Sequence, residues 1–208
     1  PTQPDSATFA FARDDDYFFG VLHSRAHEVW ARAQGTQLRE KESGFRYTPT
    51  TCFETFPFPT LEGHAPSWPP ADTTERVPPV AERIAAAAKE LDALRTAWLN
   101  PPEWTREEVL EFPARADGPW TRYVKDGVAR YPRLVPKDAD STAKLAKRTL
   151  TNLYNERPTW LANAHAQLDA AVFAAYGWPA DLSDAQVLEK LLALNLGQSE
   201  KLSTLTRN

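Results

Sequence analysis

The sequence predicts a mainly α fold with a small antiparallel β element, an α+β chain whose C-terminal half resembles a helical bundle. Apolar residues recur at helical spacing over most of the chain. Aromatic and β-branched residues concentrate in one short stretch near residues 44–58, the place for strands. Prolines concentrate between Pro57 and Pro79 and recur at Pro101-Pro102, and they separate these stretches.

The first helix is expected from about Asp15 to Gln34. Asp14 or Asp15 caps it, and Phe18, Leu22, Ala26, Val29 and Ala33 fall on one stripe beside Phe19 and Trp30. Gly35 reads as a left-handed stop. Gly44–Tyr47 and Thr51–Phe56 read as two short strands, broken at Pro49 and ended by Pro57 and Pro59.

From Thr60 to Pro79 the chain is a proline-rich connector, with Trp68-Pro69-Pro70 and Pro78-Pro79 incompatible with regular structure. A second long helix follows, with Val80, Ile84, Ala87, Leu91, Leu94 and Trp98 on one side and Asn100-Pro101-Pro102 as its stop. Residues 103–137 are mixed, with turns at Gly118-Pro119 and Asp126-Gly127. Helices are expected at about 138–156, 158–176 and 183–196. Pro158 suits a first turn, Gly177 and Pro179 make a stop, and Ser183 with Gln186 forms a capping box. The expected division is 1–60, a connector at 61–79, and a helical region at 80–208.

Composition narrows the function. Net charge is −4 and pI about 5.6, which argues against a small autonomous nucleic-acid binder, usually strongly basic. No apolar run approaches the roughly 20 residues of a membrane span. The single cysteine, Cys52, excludes an internal disulfide, fits a cytoplasmic location, and reads as a small buried hydrophobe. The chain has no methionine, and Pro1–Asp16 contains no complete element. It therefore reads as the non-catalytic end of a larger enzyme.

Motifs for chemistry are weak. His23 and His27 share a helical face at zinc-ligand spacing, but Ser24 stands where a metalloprotease has glutamate, and no Cys/His cluster is near. Asn100-Pro101-Pro102-Glu103 approaches the Asn-Pro-Pro-aromatic motif of amino-methyltransferases, with Trp104 one place too late and a helix, not a strand, before it. A proline helix-stop is the better reading. No catalytic triad, phosphate loop or metal site is expected.

Two stretches are basic without being catalytic. In the first, Arg25, Arg32, Arg39, Lys41 and Arg46 interleave with Trp30, Phe45 and Tyr47. In the second, Lys144, Lys147 and Arg148 precede Thr149, Thr151, Asn152, Tyr154 and Asn155. Both suit phosphate and base contacts, and both suit a solvated face or a protein neighbour equally well.

Longer strings carry a resemblance. Tyr17–Trp30 (YFFGVLHSRAHEVW) followed by Phe45–Pro59 (FRYTPTTCFETFPFP) resembles the end of the target recognition domain of MmeI-like enzymes. Arg148–Trp160 (RTLTNLYNERPTW), Leu168–Val172 and Ala175–Pro179 resemble the C-terminal region of the same group. These are single-chain restriction-modification proteins with a class I S-adenosylmethionine-dependent DNA adenine methyltransferase. The hand-over from Phe56-Pro57-Phe58-Pro59 to a long helix is also similar to type I specificity subunits, apart from the proline-rich insert.

The resemblance implies that S-adenosylmethionine, the methyltransferase fold and, where the parent has one, the nuclease belong to upstream domains. No catalytic or cofactor-binding residue is carried over. The implied partners are double-stranded DNA and the upstream methyltransferase domain, with no membrane. The DNA-contact candidates are Arg25, Arg39, Lys41, Arg46 and Thr50, then Lys144, Lys147 and Arg148. The alternative is a helical scaffold that packs on the catalytic domain without touching DNA.

Overall fold

The computed structural model describes residues 9, 11, 13–37, 45–61, 78–115, 117 and 121–205, with the backbone alone at 36–37 and 198–205. It divides into two compact units, one of residues 1–91 with 162–208 and one of residues 92–161. The fold is mainly α with a small antiparallel β part, as expected.

In the first unit the expected single helix is two. α1 (Asp16–Leu22) is capped by the Asp15 carboxylate, which accepts the Phe18 N–H at 2.8 Å. The chain then breaks at His23 and Ser24 before α2 (Arg25–Gln34). Ser24 Oγ donates to the Val21 carbonyl at 2.7 Å, a local bond that competes with continuing the helix. Ser24 thus makes no cap bond to α2. The Asp169 carboxylate accepts the Arg25 N–H instead, at 2.7 Å.

Gly35 ends α2 in an extended conformation (φ −72°, ψ 161°), not the left-handed one expected. Glycine is needed for space. A Cβ there would run into the Phe45 ring and lie 2.9 Å from the Ala31 carbonyl oxygen. Phe45 arrives on β2 (Phe45–Arg46), which pairs antiparallel with β1 (Thr36–Gln37).

Thr51–Phe56 is not the strand its composition suggested. Pro49–Phe53 form a π-helical turn, closed by the Glu54 N–H on the Pro49 carbonyl at 2.9 Å. Pro49 suits a first helical position, and packing then overrides β propensity. Cys52 is fully buried, its thiol facing the Ala31 carbonyl at 3.6 Å. Phe53 joins Phe11, Phe18 and Phe58 in a cluster with ring centroids 4.6–6.0 Å apart.

α3 (Pro79–Leu99) begins one residue before the expected Val80, at a proline assigned from the sequence to the irregular connector, because a proline suits a first helical position where no N–H is needed. Its buried stripe is Ala81, Ile84, Ala88 and Leu91, a 3.6-residue period displaced by one position from the expected residues at Val80 and Ala87. Gly20 on α1 meets this stripe closely, since a Cβ there would lie 2.8 Å from Ile84 and 2.9 Å from Ala88. α6 (Thr159–Ala175) adds Ala164, Leu168, Val172 and Phe173 to the core, and α7 (Asp184–Leu205) adds Val187 and Leu191. Gly177 takes the left-handed stop (φ 70°), and the Ser183–Gln186 capping box forms as read.

The second unit holds the larger β element, within residues 103–137, where the sequence shows only a mixed pattern. β3 (Thr105–Pro113), β4 (Val124–Lys125) and β5 (Val128–Pro136) form an antiparallel sheet in the order β3-β5-β4. Asp126 and Gly127 both have positive φ, the two-residue hairpin turn expected there. β3 carries Arg106, Glu107, Glu108 and Glu111, and two of its glutamates face arginines of β5 in register. Arg130 Nε donates to Glu111 at 2.8 Å and Arg133 Nε to Glu108 at 2.8 Å.

The helix expected at 138–156 is also two, α4 (Ala139–Leu145) and α5 (Leu150–Glu156). Asp138 caps α4 by accepting the Ser141 N–H at 2.7 Å, and Thr149 caps α5 by accepting the Asn152 N–H at 3.1 Å. The connector from 62 to 77 and the turn at Gly118-Pro119 lie outside the described residues. No helix among the described residues is long and apolar enough to cross a membrane.

Candidate nucleic-acid interface

Arg25 opens α2, and its side chain is already engaged. Nε donates to Asp184 at 2.7 Å, and the guanidinium lies 5.9 Å from the Phe173 ring centroid. It ties α2 to α6 and α7. Arg46 lies at the opposite end of α2, paired in register with Thr36. A ten-residue helix separates the two arginines, about 15 Å of rise, so they do not converge. Arg46 is exposed and makes no ion pair among the described residues, and Thr50 is exposed on the π-helical turn. Arg32 pairs with Glu28 at 2.7 Å on the α2 surface. Arg39 and Lys41 lie outside the described residues.

The two histidines do not act as a pair. His23 lies in the break after α1, its ring 4.0 Å from that of Phe19. His27 is buried edge-on to Phe56 and shares a hydrogen bond of 3.1 Å between Nε2 and the Tyr47 hydroxyl. Burial, with His23 nearby, pulls its pKa down to about 4, so it is neutral at neutral pH. Burial pushes the Tyr47 phenol up to about 12. Among the described residues no three His, Cys, Asp or Glu side chains form a group able to hold a metal ion.

Asn100 has a structural job. Its side-chain amide donates to the Thr96 carbonyl at 3.3 Å, satisfying the end of α3. Pro101 starts a turn whose carbonyl accepts the Trp104 N–H at 3.0 Å and the Thr105 hydroxyl at 2.9 Å. The Asn-Pro-Pro string is the helix stop the sequence suggested.

This turn swings Trp104 toward Trp98, and the second basic stretch meets them. Trp98, Trp104, Asp140, Ala143, Lys144, Lys147, Arg148 and Glu156 line a cleft of about 470 Å³. The Arg148 guanidinium lies 4.3 Å from the Trp98 centroid and 5.0 Å from that of Trp104. Lys144 Nζ is 5.5 Å from Trp104 but only 2.6 Å from Asp140, which raises its pKa. Lys147 and Arg148 occupy the turn between α4 and α5. The Asn152 amide holds that turn by donating to the Lys147 carbonyl at 2.7 Å, and the Arg148 N–H bonds the Leu145 carbonyl at 2.9 Å. The three basic candidates of this stretch therefore come together. The two tryptophans were missed, because Trp98 read as part of a core stripe and Trp104 as a misplaced motif residue.

Residues 2–60 match the family model of the MmeI target recognition domain. That match takes in α1, α2, the β1–β2 ladder and the π-helical turn, and it excludes the tryptophan-lined cleft. Comparison with curated proteins gives no match, nor does comparison with solved structures.

Proposed function

We propose that this chain selects and holds a target sequence in double-stranded DNA for an adenine-N6 methyltransferase of a restriction-modification system. The observation that carries the reading is the match of residues 2–60 to a target recognition domain. Within that segment, exposed Arg46 and Thr50 provide a cation and a hydroxyl of the kind that contact phosphates and base edges. Arg39 and Lys41 belong to the same basic stretch. Methyl transfer from S-adenosylmethionine, with the adenine flipped from the duplex, is the work of a methyltransferase domain with which this chain cooperates in the cytoplasm.

The scaffold reading is favoured by one observation. Arg25, a leading contact candidate, is bound to Asp184 and serves helix packing. Titration of the chain with duplex DNA at several salt concentrations separates the two. Recognition predicts binding that weakens steeply with salt, because each phosphate contact releases counterions. Absence of binding at low salt favours the scaffold.

A further inference from the structure

We propose that the cleft between Trp98, Trp104, Lys147 and Arg148 binds one backbone phosphate of DNA, with the two indole rings presenting the arginine. The inference rests on the DNA-recognition reading and extends it to a site outside the segment matched by the recognition-domain model.

The five N–H donors of a guanidinium point outward in its plane, and its faces are apolar enough to lie against aromatic rings. Trp98 and Trp104 both lie against Arg148. No carboxylate or other hydrogen-bond acceptor contacts the Arg148 side chain among the described residues. The charge is thus half-buried and held in place without an anion. A phosphodiester offers the paired oxygens that such a planar fork accepts.

The surrounding charges agree. Asp140 is engaged by Lys144 at 2.6 Å, and Glu156 is an exposed side chain at the rim. Lys147 is exposed beside Arg148 and makes no ion pair among the described residues, so two cations remain available. The supporting turn is well held. Thr149 caps α5, and Asn152 grips the Lys147 carbonyl, so polar groups that looked like DNA contacts in the sequence serve to position Lys147 and Arg148. Preorganisation of this kind lowers the ordering cost of binding an anion.

The test is fluorescence anisotropy of a labelled duplex titrated with the full chain at several salt concentrations. Arg148→Gln keeps a planar group against the rings without the charge, and Arg148→Lys keeps the charge without the fork. The proposal expects Arg148→Gln to reduce the magnitude of the log–log salt slope by about one. It expects Arg148→Lys to retain that slope while binding several-fold more weakly. Circular dichroism checks the fold of each variant, and Lys147→Gln, on an exposed side chain, supplies a second probe, with a slope change in the same direction and smaller, because Arg148 still neutralises the phosphate. If the wild-type chain binds and neither Gln variant changes the slope, the phosphate site is overturned and the recognition reading stands. If the wild-type chain does not bind even at low salt, the recognition reading fails and takes this site with it.

Discussion

The Asp169 carboxylate on α6 accepts the Arg25 backbone N–H at 2.7 Å and caps α2 from 144 residues away in sequence. Ser24, the residue placed to cap α2 locally, turns back to the Val21 carbonyl. This capping bond on the α2 N-terminus therefore forms only when α6 is docked. Asp169→Ala is expected to destabilise the fold by about 1–2 kcal/mol, with Asp169→Asn retaining part of that. Chemical denaturation of both variants checks this, and an unchanged midpoint for Asp169→Ala would refute the cap.

The arginine whose N–H is capped also distinguishes packing from DNA contact. Arg25→Ala is expected to lower stability through loss of the Asp184 and Phe173 contacts, and to leave the salt slope of DNA binding unchanged. Arg46→Ala should do the reverse, with stability within about 0.5 kcal/mol of wild type and a salt slope smaller by about one. Thermal melts and duplex titrations on the same two proteins read both effects.

Gly20 and Gly197 predict opposite signs for one substitution. A Cβ at Gly20 would press on Ile84, Ala88 and Leu168 at 2.8–3.2 Å, so Gly20→Ala should destabilise by about 1–3 kcal/mol. Gly197 lies in α7 with nothing within 4 Å of such a Cβ, so Gly197→Ala should stabilise by about 0.5–1 kcal/mol. Urea midpoints measured side by side decide the matter.

His27 gives the fold a defined pH response. The folded chain keeps it neutral down to about pH 4, whereas its ordinary pKa is 6.5. Between those values the unfolded chain binds more protons, so stability should fall as pH drops from about 6.5 to about 4 and this contribution should level off below. Its full size is about 3 kcal/mol. His27→Gln should flatten that part of the stability profile, and coincident wild-type and variant slopes between pH 6.5 and 4 would show that His27 is not held neutral.

Local chemistry made much of the helical fold legible. Pro79, Gly177 and the Ser183–Gln186 box each mark a boundary through backbone rules that act within a few residues, and Asp126-Gly127 forms its hairpin turn by the same logic. The strings at Tyr17–Trp30 and Phe45–Pro59 also carried the likeness to a target recognition domain, matched over residues 2–60. What escaped sequence reading depends on distant partners. β3 lies in the stretch that reads only as mixed, and its glutamates find partners across the sheet, Glu108 on Arg133 and Glu111 on Arg130. Thr51–Phe56 had strand composition, but burial of Cys52 against Ala31 folded its start into a π-helical turn.

The candidate site divides the same way. Lys144, Lys147 and Arg148 were visible as a basic cluster because they are neighbours in sequence. Only the folded chain sets Trp98 and Trp104 against Arg148, pairs Lys144 with Asp140, and removes Arg25 to the Asp184 carboxylate. Propensity and capping act over a few residues, so the chain's order of amino acids carries them. Which cations remain available for a ligand depends on partners brought close by tertiary packing, and no local pattern encodes that.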